Sequence, residues 1–303
     1  MGSRTKSPIF FLLVFLLPAF LIVTIFVLYP IVDTIYISLL DKGTGEFVGL
    51  DNYATVVSRK DFLNTERLQN FWLGPSYGGL IHNILWIAIH LPLCVFFGLL
   101  LSVLLRDIKE GAVIKSIIFL GMVVPLVIGG VLIRFSVDPD AGILNGLLRV
   151  VGLGAYVRDP TIYPSTALLS VILGSVWIWV GFSMIVYSAG LQGIPVELYE
   201  AAQIDGASRW RTFWRITVPM LRSATLVVVT MTLLWELKVF DIVYVVTQGG
   251  PGYTSTVLAY LMFSEAFPPG GGGNFGIAAA ISTILTILTL VFAAYLVKRM
   301  AES

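Results

Sequence analysis

The chain has 303 residues, 57% of them hydrophobic and only 12% charged, where an ordinary soluble domain carries roughly a quarter charged residues. That composition rules out a single water-soluble core. The near-even balance of 19 Lys and Arg against 18 Asp and Glu argues against a nucleic-acid partner, because no general positive field is present to neutralise phosphates. One cysteine, Cys94, allows neither an intrachain disulfide nor a cysteine-based metal site.

A helix needs about 20 largely apolar residues to cross roughly 30 Å of hydrocarbon, so uncharged runs of that length set the fold class. The first, Ile9 to Leu28, follows Arg4 and Lys6. It is long for a signal peptide and continues into Tyr29-Pro30 without a small-residue cleavage site, which predicts a retained spanning helix within residues 1–40. Residues 41–79 are polar, with turn signals at Gly43, Gly45, Pro75 and Gly78-Gly79, and predict an extracytoplasmic loop. Further spans are expected at about Ile81–Leu105, Lys115–Phe135, Thr166–Leu191, Ser223–Val246 and Phe275–Val297. The expectation is an all-α integral membrane protein with about six transmembrane helices, its core in residues 80–303.

With the N-terminus inside, eleven basic residues fall on the cytoplasmic side and seven on the other, and Lys238 lies in the fifth span. Cytoplasmic segments collect Lys and Arg, so both termini are expected in the cytoplasm of a prokaryotic cell. Residues 248–274, on the opposite side, hold no Lys or Arg.

The most informative stretch is the cytoplasmic loop at 193–222, whose core reads GIPVELYEAAQIDGASRWRTFWRITVPML. Pro195 suits the first turn of a helix, Glu197 and Glu200 its N-terminal half, and Gly206 the residue just past its end. This predicts a helix from about Pro195 to Asp205. Ser208 can cap a second helix from Arg209, which Pro219 would separate from the next span. In the first helix Leu198 and Ala202 share a face, with Ala201 and Asp205 close by. Small alanines beside an apolar anchor suit a groove on another protein.

At these residues the chain resembles the permease subunits of bacterial and archaeal ATP-binding cassette importers. Their loop signature is Glu-Ala-Ala, three residues, Gly, nine residues, Ile, one residue, Leu, Pro. Here Glu200, Ala201 and Ala202 are followed by Gly206, Ile216 and Pro219 at those spacings, with Val218 in place of Leu. Segments beginning at Val48, Gly142, Phe240 and Gly270 are similar to the maltose, lactose and glycerol-phosphate branch. Gly121 stands where that branch often has a proline, which leaves the bend of the third span open.

The resemblance implies a type I ABC importer permease fold and a coupling role for Glu200, Ala201, Ala202, Asp205, Gly206, Ile216 and Pro219. It also implies a second homologous permease, two ATP-binding cassette ATPases and an extracellular or periplasmic solute-binding protein. No glycine-rich phosphate loop with a following Lys-Ser or Lys-Thr occurs. Hence no cofactor is expected on this chain, and ATP and Mg belong to the partner ATPase.

Charges at membrane depth are costly and mark functional candidates. Glu236, Lys238 and Asp241 interrupt the fifth predicted span. Lys238 and Asp241 could neutralise each other, whereas Thr232, Glu236 and Val239 form one helical stripe with Phe240 nearby. Ser175, Ile178, Trp179 and Phe182 form a comparable stripe in the fourth. Carboxylate, hydroxyls and aromatic rings fit a sugar, whose hydroxyls need directional hydrogen bonds and whose ring face packs on aromatics. Those eight residues are the candidate substrate path; His82, Asn83 and His90 are candidate polar glue between helices. Two alternatives stay open: another solute such as a glycerol phosphate ester, and an ion-coupled secondary transporter using Glu236 and Asp241, which leaves the 193–222 loop unexplained.

Overall fold

The computed structural model describes residues 8–64, 66 and 76–301, and the side chains of 14–64, 66 and 76–299. Among the described residues it is helical, with one isolated antiparallel bridge between Leu40 and Phe47. The helices in chain order are α1 (Pro8–Val23), α2 (Tyr29–Ile37), α3 (Asp51–Ser58), α4 (Gly79–Leu104), α5 (Gly111–Val123), α6 (Leu126–Ser136) and α7 (Ile143–Val150). There follow α8 (Ala167–Gln192), α9 (Val196–Ile204), α10 (Arg209–Thr212), α11 (Val218–Met220), α12 (Arg222–Leu237), α13 (Asp241–Val246), α14 (Leu258–Ala266) and α15 (Phe275–Ala301).

The chain forms two compact units, one made of residues up to Val57 with Met262–Ile284, the other of Ser58–Leu261 with Leu285 onward. In the first, α1 runs through a π-helical turn, Thr24–Leu28, into α2. Asn52 in α3 donates to the carbonyls of Ser38 and Leu40 at 2.8 and 2.9 Å, tying down the chain after α2.

The second unit is organised around α8, which packs along α4 and α5. Without a hydrophobic drive between lipid-solvated helices, close approach depends on small residues at the contacts. A Cβ on Gly181 would stand 2.9 Å from Cα of Phe119 in α5, and one on Gly121 would meet the Trp177 ring at 2.8 Å. Gly98 in α4 rests directly against Ser183. The core beside these contacts holds Trp86, Ile133, Val171, Ile172, Ile178 and Ile242, and a second cluster gathers Tyr187, Leu191, Ile194, Leu221 and Val228.

Among the described residues, four helices are long and apolar enough to cross a membrane: Val14–Ile37, Gly79–Leu104, Ala167–Gln192 and Phe275–Arg299. The number becomes six if each of two bent pairs is one span. The third expected span is not one rod, because α5 and α6 meet at 104°. The bend falls at Val124-Pro125, not at Gly121: Val124 is extended, with φ −67° and ψ 131°, as the residue before a proline prefers. The fifth expected span, Ser223–Val246, is also interrupted. Helix α12 stops at Leu237, and Lys238, Val239 and Phe240 separate it from α13.

The glycine contacts make a prediction about stability. Gly98→Leu drives a side chain into Ser183 and the Met184 backbone, and overpacking of this kind costs about 1–3 kcal/mol. Thermal unfolding of the detergent-purified chain is expected to fall by several degrees. Gly146→Ala, which meets nothing within 4 Å, is the control expected to stay at or above the wild-type midpoint. Equal midpoints for all three would mean that α4 and α8 are not closely packed.

Candidate functional site

The interruption after α12 generates the site. With 16 residues, α12 reaches about 24 Å at 1.5 Å per residue, so its end lies at membrane depth, where water does not satisfy the last carbonyls. Asn83 of α4 does so: its Nδ2 donates to the carbonyls of Glu236 and Leu237 at 3.3 and 3.4 Å. Its Oδ1 accepts the Leu258 N–H at 2.9 Å, closing the start of α14 as well. One residue earlier, His82 Nε2 accepts the Tyr77 N–H at 3.2 Å, which leaves Nδ1 protonated to donate to the Thr256 carbonyl at 2.7 Å.

Two turns further along α4, His90 Nδ1 stands 2.6 Å from Glu236 Oε1, with side-chain exposures of 0% and 2%. Carboxylate and imidazole can share one proton there, which removes most of the cost of a charge at that depth. The second oxygen, Glu236 Oε2, is buried and has no hydrogen-bond partner among the described residues.

Beside this pair, the rings of Trp179 and Trp235 lie 4.2 Å apart at 31°, and Phe182 meets Trp235 edge-on at 5.1 Å. A cleft of about 130 Å³ opens here, with Trp86, Trp179, Trp235, Glu236, Val239 and Phe240 in its wall. Lys238 and Asp241 also border it, and no ion pair joins them among the described residues. Of the candidate path residues, the cleft unites Trp179, Glu236, Val239 and Phe240. Ser175, Ile178 and Thr232 are buried with exposures of 0%, 1% and 1% and lie outside the lining, as does Phe182. Ser175 Oγ donates to the Ile172 carbonyl, and Thr232 Oγ1 has no hydrogen-bond partner among the described residues. Sequence reasoning missed Trp86 and Trp235 as lining and His90 as the partner of Glu236. The only signal for that partnership was a histidine and a carboxylate in separate apolar runs.

The loop at 193–222 follows its expected outline with two corrections. Helix α9 is capped by Pro195 and Asp205, and Gly206 takes φ +70°, a conformation that L side chains adopt at a cost. Ser208 Oγ accepts the Arg211 N–H at 3.3 Å, capping α10. Ala202, expected on the docking face, is buried at 7% exposure. The outward face instead carries Glu200, Ala201, Asp205 and Ile204, the last 87% exposed. The 3.6-residue repeat puts Ala202 behind that face, next to Tyr199, whose hydroxyl meets Thr217 Oγ1 at 3.2 Å. The break before the next span lies at Leu221, not Pro219, with a 64° bend. A π-helical turn, Phe213–Thr217, precedes Pro219, and such a turn accommodates the missing N–H and the ring. Ile216 is half-buried and Pro219 exposed.

Interrupted spans around a polar cleft, with a short exposed helix between spans, are the features of a multi-pass transport protein of the membrane. The chain belongs to the family of binding-protein-dependent transport system inner membrane components, whose match extends over residues 71–302. It is therefore the permease component of an ABC importer. A probable ABC transporter permease of Pyrococcus horikoshii is 48% identical, covering 98% of this chain and 99% of that protein. The alpha-glucoside transport system permease of Rhizobium meliloti is 37% identical over 91% of this chain and 78% of its own length. In fold, the chain is similar to a bacterial ABC transporter involved in importing the acidic polysaccharide alginate, with TM-score 0.76, 21% identity, and 97% and 96% of the two chains covered.

The buried pair makes a second prediction. Glu236→Leu strands His90 and His90→Leu strands Glu236, and, as for other buried pairs with one partner removed, each is expected to cost about 3–5 kcal/mol. His90→Leu combined with Glu236→Leu removes both polar groups and is expected to cost less than the sum of the single changes. Denaturant unfolding of the four proteins measures the coupling, and strict additivity would show that the pair does not interact.

Proposed function

We propose that this permease translocates a mono- or oligosaccharide delivered by an extracellular or periplasmic binding protein. The observation that carries the reading is the cleft at the α12 break, where two tilted, closely packed indole rings adjoin a carboxylate whose second oxygen has no partner among the described residues. Aromatic faces suit the apolar side of a sugar ring, and Glu236 Oε2 suits a hydroxyl donor. The name of the Rhizobium relative, an alpha-glucoside permease, supports the same class. Trp179, Glu236, Val239 and Phe240 contact the sugar, and Lys238 and Asp241 flank it.

The cleft of about 130 Å³ is smaller than the roughly 300 Å³ at which ligand pockets begin. One chain thus offers a half-site, and a second, homologous permease supplies the rest. The driving energy comes from two partner ATPases that hold the ATP and Mg. Helix α9 docks into a groove on one of them through Glu200, Ala201, Ile204 and Asp205, while Gly206, Ile216 and Pro219 hold the angle between that helix and α12. Both termini and this loop are cytoplasmic. A glycerol phosphate ester is the alternative cargo; Lys238 at the cleft is the feature that favours it.

Three measurements test this reading. Ile204→Glu and Gly206→Pro are expected to abolish ATP-driven uptake, with Ile204→Glu also losing co-purification of the ATPase; retained complex and uptake in both would refute the coupling role. Trp179→Ala is expected to lower sugar uptake at least about tenfold through the lost ring contact while the ATPase still co-purifies, and undiminished uptake would take the cleft off the path. In a Cys94→Ala background, cysteines at Ser58 and Ser208 are expected to label from opposite sides, and outside labelling of both would invert the topology.

A further inference from the structure

Away from the substrate cleft, a second cavity of about 450 Å³ opens where α4 ends, α5 begins and α8 ends. Arg106, Lys109 and Lys115 line it together with Ser188 and Gln192. None of the three cations forms an ion pair among the described residues, and Asp107 and Glu110, in the intervening turn, are not part of its wall. Ser188 is 8% exposed, and its Oγ has no hydrogen-bond partner among the described residues. The cavity thus presents three positive charges and a buried, unsatisfied hydroxyl with no acidic residue in its wall.

We propose that this cavity binds the head group of an anionic phospholipid from the cytoplasmic leaflet. The phosphodiester sits among Arg106, Lys109 and Lys115 and accepts the Ser188 hydroxyl. Basic pockets between spans on the cytoplasmic side are suited to such head groups. Position and surroundings favour a lipid over a free phosphate. The lining residues come from span ends, at head-group depth, and the adjoining face of α5 exposes Val113 and Ile117, each 62% exposed, with Ile108 at 44%. That apolar strip offers the acyl chains a track that inorganic phosphate would not use.

The site also reaches the coupling loop. The Arg106 guanidinium lies 4.9 Å from the centre of the Tyr199 ring, and Tyr199 belongs to α9. A phosphodiester drawing Arg106 into the cavity competes with that cation–π contact, so occupancy alters how firmly α9 is held. The binding claim rests only on the cytoplasmic placement of this end, not on the identity of the transported solute.

The test is native mass spectrometry of the purified chain, titrated separately with phosphatidylglycerol, phosphatidylcholine and inorganic phosphate. Phosphatidylglycerol is expected to bind at least about tenfold tighter than phosphatidylcholine. Lys109→Gln with Lys115→Gln is expected to remove that preference, whereas Lys109→Arg with Lys115→Arg, which keeps the charge, retains it. Equal affinity for the two lipids would overturn the proposal, as would saturation by phosphate alone. So would a Gln variant that keeps its lipid preference but loses the ATPase on co-purification, since the charges would then serve the ATPase. None of these readouts uses sugar uptake, so failure here and failure of the transport reading are separable.

Discussion

A helix that stops inside a membrane leaves carbonyls that neither water nor lipid can satisfy, and the arrangement of the second unit follows from how that need is met. Asn83 takes the last carbonyls of α12 with its amide nitrogen and the first N–H of α14 with its oxygen. His90 pairs with Glu236 at the same helix end. Both partners project from α4, one unbroken 26-residue helix. The continuous element therefore carries the polar side chains, while at the break the backbone keeps only short-range bonds, Lys238 N–H to the Trp235 carbonyl at 3.0 Å and Val239 N–H to the Glu236 carbonyl at 3.3 Å.

That division accounts for the location of the cleft. An intact helix would have presented Glu236 and Val239 on a single stripe, with no room between neighbouring side chains. The break turns Val239 and Phe240 out of helical register beside Trp235, which the last turn of α12 holds against Trp179. The same region adjoins α6, where Gly130 lies 3.0 Å, measured from the position of an added Cβ, from Val245 of α13. Both interrupted spans thus pack on each other beside the cleft, while the continuous helices α4 and α8 form the frame.

Much of this was legible in the sequence, and the rest was hidden for physical reasons. Apolar runs disclosed the spans because length and hydropathy are local properties. The loop from Gly193 to Leu221 was legible down to its caps, since Pro195, Gly206 and Ser208 each act on their own backbone. The bend at Val124-Pro125 was open to the same logic, because a proline restricts the residue before it. The break at Lys238 was only half legible: Glu236, Lys238 and Asp241 mark an interruption, but Leu237, Val239 and Phe240 continue the apolar pattern, and charge alone does not tell a broken helix from a continuous one. The burial of Ala202 and the pairing of His90 with Glu236 depend on which surfaces meet, across 146 positions in the second case. Pattern analysis carries no such information.

The central claim is that transport through this chain is powered from outside it, by an ATPase acting on the loop at 193–222. Radiolabelled oligosaccharide uptake into proteoliposomes containing the assembled permeases, ATPases and binding protein tests it most directly, with ATP and a proton gradient supplied separately. Uptake is expected with ATP and binding protein in the absence of any gradient, and none with the gradient alone. Gradient-driven uptake that persists without ATP would contradict the account and return Glu236 and Asp241 to the role of ion carriers.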